Sequence, residues 1–415
     1  MDCQHRSVTV LTEVTQPGAV AETAPDRNAR PPSRAPASRY FAALDGLRGI
    51  AVLLVIARHA SAMRDPEGGI SLVVHHAMRM GWVGVDIFFV LSGFLITGIL
   101  IDTRGRPGSL KSFYVRRVLR IFPLYFAVLA IVFFVLPWTP VGGTPAMERL
   151  QSNAAWFWGY AVNILISLRG EASTPLALGH LWSLSVEEQF YLVWPFVVVL
   201  VSPRRLGRAC LLLMAGAVLL RLGLILATGW GTDAGYMLMP ARMDALLIGG
   251  LLALLMRNDT GRLAVVRWHR PVGLLSAVSL AALIAWRGGL ERSDPYVQVF
   301  GYVALSVLSF AAIAAVVSNQ APSRFSRVLK SPLLRAMGKY SYAIYVFHHP
   351  IIGFIRRTMP PLQYRWTRGS VLVSELFLFT VAAVLSFGLA WVSWKVIEEP
   401  FLSLKRYFPR TGSAA

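Results

Sequence analysis

The chain has 415 residues, of which 55% are hydrophobic and 15% are charged. Soluble domains carry about 25% charged residues, so this composition excludes an ordinary soluble enzyme and indicates a membrane protein. The formal net charge of +20 suits basic cytoplasmic loops beside anionic membrane lipid, and we expect no nucleic-acid partner. The two cysteines, Cys3 and Cys210, supply neither a disulfide framework nor a metal cluster.

The predicted elements begin after a polar tail. Residues 1–39 are rich in Pro, Ala and Arg and lack the apolar core of a signal peptide, so we expect a disordered cytoplasmic tail. Ten apolar segments after it are long enough to cross a bilayer. They lie near 42–62, 83–101, 118–137, 185–201, 209–228, 236–256, 272–287, 299–318, 338–356 and 371–394.

The apolar character of an eleventh patch, 154–168, leaves open whether it crosses the membrane. The distribution of basic residues decides this question. The loop after the second span is basic and should therefore be cytoplasmic. If 154–168 does not span, three further basic loops and the basic C-terminus fall on that side, and only the four arginines of 356–368 fall outside. We therefore expect an all-α polytopic protein of the plasma membrane, with about ten transmembrane helices and both termini cytoplasmic.

Four ionisable residues interrupt the first apolar segment, LDGLRGIAVLLVIARHA (44–60). On a helix, Asp45, Arg48 and His59 share one stripe, since the eleven steps from Arg48 to His59 give a net rotation of about 20° and a rise of roughly 16 Å. Ionisable groups in hydrocarbon usually face a bundle interior or a wet cavity and mark function. The alternative is a structural Asp–Arg pair with a histidine that snorkels to the interface.

A second candidate group lies in FYVRRVLRIFPLYF (113–126), at the start of the third span. Arg117 and Arg120 are i,i+3 neighbours on one helix face. Two guanidiniums in this arrangement suit a phosphorylated ligand, because each can bind bidentately. Ordinary anchoring by cytoplasmic arginines explains the same pattern.

A third candidate group, HLWSLSVEEQFY (180–191), leads into the span near 185–201, on the same side as His59. A carboxylate of Glu187 or Glu188 beside an outer histidine would hold the imidazole tautomer and offset its charge, as general acid–base chemistry requires. A capped interfacial helix is the alternative, because carboxylates are tolerated at a helix N-terminus.

Weaker signals indicate a substrate channel. The candidates are Asp86, His180, Trp182, Arg242, Asp244 and His348. Arg242 and Asp244 are expected to form an intramembrane pair. The histidines of the chain match no zinc-binding spacing, so we expect no metal site and no bound cofactor. No nucleophile elbow, phosphate-binding loop or dinucleotide fingerprint is present in the sequence.

Taken together, the motifs resemble those of the acyltransferase-3 family of integral membrane O-acyltransferases. They are LDGLRGIAVLLVIARHA, GVDIFFVLSGFLI, FYVRRVLRIFPLY, HLWSLSVEEQFYLVWP, SYAIYVFHHP and VIEEPF. The resemblance covers roughly 40–406 as one membrane domain and leaves 407–415 as a short cytoplasmic tail. His348 takes the position of the family's histidine, and His349 replaces an aromatic residue.

The resemblance implies transfer of an acyl group, often acetyl, from cytoplasmic acyl-CoA as co-substrate to a sugar hydroxyl. The acceptor would be a surface polysaccharide or a glycosylated metabolite such as a macrolide. Some members carry a fused hydrolase-like domain, which we do not expect here because only about twenty residues follow the last span. The membrane domain or a separate partner would then complete catalysis.

In this hypothesis, Arg117 and Arg120 bind the donor, and Asp45 and Arg48 line the inner channel. His59 acts as general base on the acceptor or carries the acyl group briefly, with Glu187 or Glu188 as its orienting partner.

A transporter or flippase of a polar or glycosylated substrate is the main alternative, since ten spans with intramembrane charges would serve it. The lack of a visible internal repeat and of paired broken helices counts against it. A binding-only sensor would leave both the polar stripe and the arginine pair unexplained.

Overall fold

The computed structural model describes residues 42–61, 68–318, 323–358 and 370–409, and every regular element in them is helical. This confirms the all-α class. The predicted tail at 1–39 and the loop arginines Arg365 and Arg368 lie outside the described residues.

The α-helices of these ranges follow one another with short connections. In chain order they are α1 Ala42–Ala60, α2 Gly69–Arg79, α3 Val83–Thr103, α4 Ser109–Ala130, α5 Pro145–Ser152, α6 Ala154–Trp158, α7 Val162–Arg169, α8 Trp182–Leu200, α9 Pro203–Thr228, α10 Asp233–Met237, α11 Met239–Leu255, α12 Asp259–Arg287, α13 Tyr302–Val317, α14 Arg324–Leu329, α15 Pro332–Lys339, α16 Ser341–Thr358, α17 Val371–Ser393 and α18 Glu399–Ser403. Short π-helical turns extend α4, precede α13 and follow α17.

Eight helical stretches of the described chain are long and apolar enough to cross a membrane, which makes this a multi-pass membrane protein. They are Gly69–Thr103, Ser109–Trp138, Gly179–Leu200, Pro203–Thr228, Asp233–Leu255, Asp259–Arg287, Val297–Val317 and Val371–Tyr407. The helices α1 and α16 have 19 and 18 residues, about 28 and 27 Å, but their ionisable residues lower their apolar character. The total of ten spans and the cytoplasmic termini stay predictions.

The ambiguous patch 154–168 is broken rather than continuous. It forms α6 and α7, of five and eight residues, which are about 8 and 12 Å long and cannot cross a bilayer. Tyr160, with a φ of 50°, lies between them and turns the chain. One face of α7, with Val162, Leu165 and Ile166, is buried, so this segment packs on the bundle.

The polar helices α1 and α16 lie side by side and run in the same direction. Near the start of α1, the backbone of Asp45 closely approaches Gly338, just before α16. Just past the end of α1, the carbonyl oxygen of Ser61 accepts a hydrogen bond from Arg356 Nη2 at 2.7 Å. Because the two helices are parallel, residues at equal depth on each can meet, and this brings the histidines of both together.

Close backbone approach also joins α3 to α11. A Cβ atom added at Gly93 would collide with the carbonyl group of Leu246, and one at Gly249 with the carbonyl of Val90. Small residues at such crossings let membrane helices gain dispersion contacts over their whole length. By contrast, Gly216 in α9 is exposed on the surface of the bundle and has open space around it.

We predict that Gly93→Ala destabilises the protein, because an overpacked helix crossing costs about 1–3 kcal/mol. The midpoint of thermal unfolding in detergent should fall by several degrees, whereas Gly216→Ala should leave it unchanged or slightly raised. Equal midpoints for the two variants would contradict the tight α3–α11 crossing.

Candidate active site

A cavity with about 840 Å³ of empty space opens between α1, α3, α4, α8 and α16. Its polar lining is supplied by Arg48, Ser92, Arg117, Arg120, Ser183, Glu187, Glu188, Tyr191, Ser341, Tyr342 and Tyr345. A polar cavity of this kind inside a bundle of membrane helices marks the candidate site.

Three arginines from two helices converge on this cavity. Arg48 Nη1 of α1 donates to Asp45 Oδ1 at 2.9 Å, which fixes the guanidinium near the start of the helix. The guanidinium of Arg117 lies 4.9 Å from the centre of the Tyr191 ring. Arg120 interacts electrostatically with Arg48 and Arg117, and also with Glu398, which lies just after α17. This cavity end therefore presents three guanidiniums, which can bind phosphate oxygens, beside the carboxyl groups of Glu187 and Glu188.

The arginine motif of α4 divides between two environments. Arg117 and Arg120 line the cavity, as their i,i+3 spacing leads us to expect. Arg116 turns away and donates to the carbonyl oxygens of Lys405 and Phe408, at 3.1 and 3.0 Å. Neighbouring arginines thus serve two purposes, one in the cavity and one in anchoring the end of the chain.

Glu187 and Glu188 lie with the arginines and not with His59, which corrects their expected position. Glu187 interacts with the side chains of Ser92 and Tyr191, and Glu188 interacts electrostatically with Arg117. The helix α8 begins at Trp182, so Glu187 lies about 8 Å further along the axis than the helix start. Within the described chain, the side-chain partners of His59 are other histidines rather than carboxylates.

Four histidines cluster at the opposite end of α1 from Arg48. The ring centre of His59 lies 4.9 Å from that of His348 and 4.1 Å from that of His349. The ring of His180 follows at 5.1 Å from His348. Both nitrogens of His180 lie 3.2 Å from backbone carbonyl oxygens, those of Ala177 and Val346, so this ring is held in place.

The hydrogen bonds of the cluster determine which nitrogens carry protons. Nδ1 of His348 lies 2.6 Å from the carbonyl oxygen of Tyr345, and Nδ1 of His59 lies 2.9 Å from that of Val55. A carbonyl oxygen only accepts, so each Nδ1 carries a hydrogen. In neutral His348, the bare Nε2 then accepts from His59 Nδ1 at 3.1 Å. Neutral His59 is left with a free lone pair on Nε2.

Tyr345 connects the cavity to the histidines. Its ring lines the cavity and lies 5.4 Å from the ring of His348. Its hydroxyl is 2.5 Å from Ser183 Oγ and donates to the carbonyl oxygen of His180 at 2.9 Å. The arginine end and the histidine end of α1 are therefore joined by one continuous set of contacts.

The intramembrane pair expected between Arg242 and Asp244 is wrong. Arg242 pairs with Asp86 at 2.5 Å and Asp244 pairs with Arg221 at 2.7 Å, and all four residues are buried. Residues two apart on a helix differ by about 200° in direction, so Arg242 and Asp244 face different neighbours. Arg221 is the sequence signal that could have predicted this pairing. It is a charged residue inside an apolar span and therefore requires a buried partner.

This buried network is separate from the arginine-lined cavity. The guanidinium of Arg242 lies 4.1 Å from the ring centre of Tyr302, and the Trp182 ring lies 4.7 Å from that of Tyr236. None of Asp86, Trp182, Arg242 and Asp244 lines that cavity. The network therefore joins α3, α9 and α11 to the aromatic side chains around them.

The fold and the site together define a polytopic membrane protein with a polar cavity at the arginine end of α1 and a histidine cluster at its other end, linked by contacts of Tyr345. A family model described as an acyltransferase domain matches residues 41–395, so the chain belongs to the acyltransferase-3 family. The resemblance found in its motifs is thereby confirmed.

Two similar proteins are O-acetyltransferases. O-acetyltransferase OatA of Staphylococcus aureus (strain NCTC 8325 / PS 47) is 28% identical over 378 residues, which cover 87% of this chain and 57% of the relative. Peptidoglycan O-acetyltransferase OatA of Listeria monocytogenes serovar 1/2a is 27% identical over 375 residues, covering 87% of this chain and 56% of the relative. The chain thus spans little more than half the length of these relatives. No solved structure gave a significant match.

We predict that Arg221→Met destabilises the protein strongly, because it leaves Asp244 buried and unpaired, which costs about 3–5 kcal/mol. The double variant Arg221→Met/Asp244→Leu should recover part of this loss, as measured by unfolding in one detergent. Arg262→Met, which removes an exposed pair with Asp259, should have almost no effect. Strictly additive single-variant losses would contradict the pairing.

Proposed function

We propose that the chain is a membrane O-acyltransferase that moves an acetyl group from acyl-CoA to a hydroxyl of a carbohydrate. The observation that carries this proposal is the connection along α1, from the arginine-lined cavity through Tyr345 and His348 to His59. Membership of the acyltransferase-3 family and the names of the two O-acetyltransferase relatives support it.

The arginines of the cavity bind the phosphates of the donor. Arg117 and Arg120 present two planar guanidiniums, which match phosphate oxygens bidentately, and Arg48 adds a third from the facing helix. Asp45 orients Arg48 rather than touching the donor. The rise of roughly 16 Å from Arg48 to His59 is then covered by the extended arm of the donor, which places its thioester near the histidines.

Transfer needs a base for the acceptor hydroxyl, and His59 Nε2 fills this role. Nε2 takes the hydroxyl proton as the oxygen attacks the thioester carbonyl carbon. The new ester bond forms, the carbon–sulfur bond breaks, and the thiolate receives the proton from Nε2 to leave as the free thiol. His348 positions this base, because it accepts from Nδ1 together with the Val55 carbonyl oxygen, and this arrangement leaves the lone pair on Nε2.

Glu187 and Glu188 take a different role from the one expected from the sequence. We assign them to the donor end, where Glu187 holds Ser92 and Tyr191 and Glu188 faces Arg117. They orient the cationic wall of the cavity. Glu398, beside Arg120, contributes from the end of the bundle in the same way.

An acyl-histidine intermediate would use the same His59 Nε2 as a nucleophile. Intact-protein mass after mixing with acetyl-CoA alone separates the routes. The general-base route leaves the protein unmodified without acceptor, whereas an acetyl adduct that is absent from His59→Ala would establish the covalent route.

The acceptor class follows from the relatives. One of them is named for peptidoglycan, which favours a cell-envelope glycan over a macrolide as the acceptor here. The competing transporter proposal requires no thiol release. Acceptor-dependent release of free CoA by purified protein in lipid therefore discriminates between the two.

We predict that Arg117→Gln raises the KM for acetyl-CoA about tenfold, because one charge-assisted contact to a donor phosphate is lost. His59→Ala should abolish acceptor-dependent thiol release while the donor still binds. Arg116→Gln is the matched control and should leave the KM near the wild-type value, since Arg116 faces the end of the chain. An equal rise in KM for both arginine variants, or full activity of His59→Ala, would overturn the assignment.

We predict that His348→Phe lowers kcat roughly tenfold or more with little change in the donor KM, because Nδ1 of His59 loses its side-chain acceptor. His348→Gln should restore much of the rate, since its amide oxygen can accept the same hydrogen bond. The Val55 carbonyl oxygen still accepts from His59 Nδ1 in both variants, so the ¹⁵N chemical shifts of His59 should report the same tautomer as in the wild type. A rate of His348→Gln no higher than that of His348→Phe would contradict the hydrogen bond to His59 as the cause of the loss.

A further inference from the structure

Two arginines lie beside the histidine cluster, and within the described chain neither forms an ion pair. Arg58 precedes His59 at the end of α1, and its Nη1 lies 3.5 Å from Ser61 Oγ. Arg356, near the end of α16, donates from Nη2 to the carbonyl oxygen of Ser61 at 2.7 Å. Both side chains are half-buried, and Arg356 interacts electrostatically with Arg58.

The carboxylates near this arginine pair already have partners. Glu291, which acts electrostatically on Arg58, accepts from Arg79 at 3.0 Å. Glu375, which acts on Arg356 from α17, is bonded to His75 at 2.6 Å. Positive charge at the Arg58–Arg356 pair is therefore in excess.

A third polar group points to a ligand at the same place. Nδ1 of His349 is buried and has no hydrogen-bond partner in the part of the chain that the structure describes. Its ring is in contact with His59, and both Arg356 and Arg58 act on it electrostatically. A buried polar atom without a partner is costly, and a bound group that supplies one removes the cost.

The guanidiniums of Arg58 and Arg356 have the same charge and repel each other. Their repulsion is stronger in a half-buried site than in water. On the predicted sidedness, Arg356 also lies on the outer face, where basic residues are normally depleted. An anion between the two arginines would relieve the repulsion, and the planar guanidinium fork recognises carboxylate and phosphate groups in particular.

We propose that Arg58, Arg356 and His349 form a subsite for an anionic group, a carboxylate or phosphate, carried by the glycan acceptor. This inference rests on the proposed function and specifies its acceptor as an acidic glycan. Arg58 is adjacent to His59 in sequence, and Arg356 lies eight residues, about 12 Å, beyond His348 along α16. An acid group held there leaves a neighbouring sugar hydroxyl free to meet His59 Nε2.

The test compares two soluble acceptors of the same linkage, a neutral oligosaccharide and one that contains a uronic acid. The full chain is assayed in nanodiscs of zwitterionic lipid. Arg58→Gln and Arg356→Gln should each raise the KM for the acidic acceptor at least about tenfold, without changing the KM for the neutral acceptor or for acetyl-CoA. Arg357→Gln, an exposed neighbour on α16, is the matched control and should change none of these values.

Equal use of the two acceptors by the wild type, or equal effects of all three substitutions, would overturn the subsite. Failure of transfer with every acceptor would instead overturn the proposed function. In that case, direct binding of the acidic oligosaccharide, measured by its ligand-observed NMR signals, still tests the subsite. Binding that is lost in Arg58→Gln and Arg356→Gln supports it, and no binding to the wild type overturns it.

A lipid headgroup also carries a phosphate and could occupy the same subsite. Varying the lipid composition of the nanodiscs distinguishes this ligand from the acidic glycan. The acidic acceptor should retain its advantage when anionic lipid replaces part of the zwitterionic lipid. Retention of anionic lipid by the wild type but not by Arg58→Gln in native mass spectrometry, together with loss of the acceptor preference, would overturn the proposal.

Discussion

A charged group inside a membrane bundle must have a partner of opposite charge or face a polar space, because hydrocarbon does not solvate it. This constraint organises the described part of the protein. Asp86 with Arg242 and Arg221 with Asp244 meet it by pairing deep inside the bundle. The arginines of the cavity meet it by facing a polar space. The two buried pairs join helices, whereas the guanidiniums of the cavity line a polar space that is open to a ligand.

The two ends of α1 have different chemistry for the same reason. At one end, Arg48, Arg117 and Arg120 face a polar cavity together with Glu187 and Glu188. At the other end, imidazoles contact one another and backbone carbonyls, which leaves one lone pair on His59. Because α16 runs parallel to α1, it contributes Tyr345 and His348 between these ends. In the proposed mechanism, a donor bound at one end is brought to a base at the other.

Contacts within one helix could be predicted from the sequence, and contacts between helices could not. The 3.6-residue period is enough to join Asp45 to Arg48 and to place Arg117 and Arg120 on one face. The pairing of Arg242 with Asp86 depends on which helices pack together, and the position of Glu187 depends on where α8 begins. Helical periodicity shows neither which helices pack together nor where a helix begins. The four histidines likewise come from three segments that only the fold brings together.

We propose that donor and acceptor enter from opposite ends of α1, on opposite sides of the membrane. Proteoliposomes of known protein orientation test it directly, with acetyl-CoA supplied on one side only and a membrane-impermeant glycan on the other. We expect acetylated glycan only when acetyl-CoA is on the side of Arg117 and the glycan is on the side of His59. Acetylation only when both substrates share one side would contradict it.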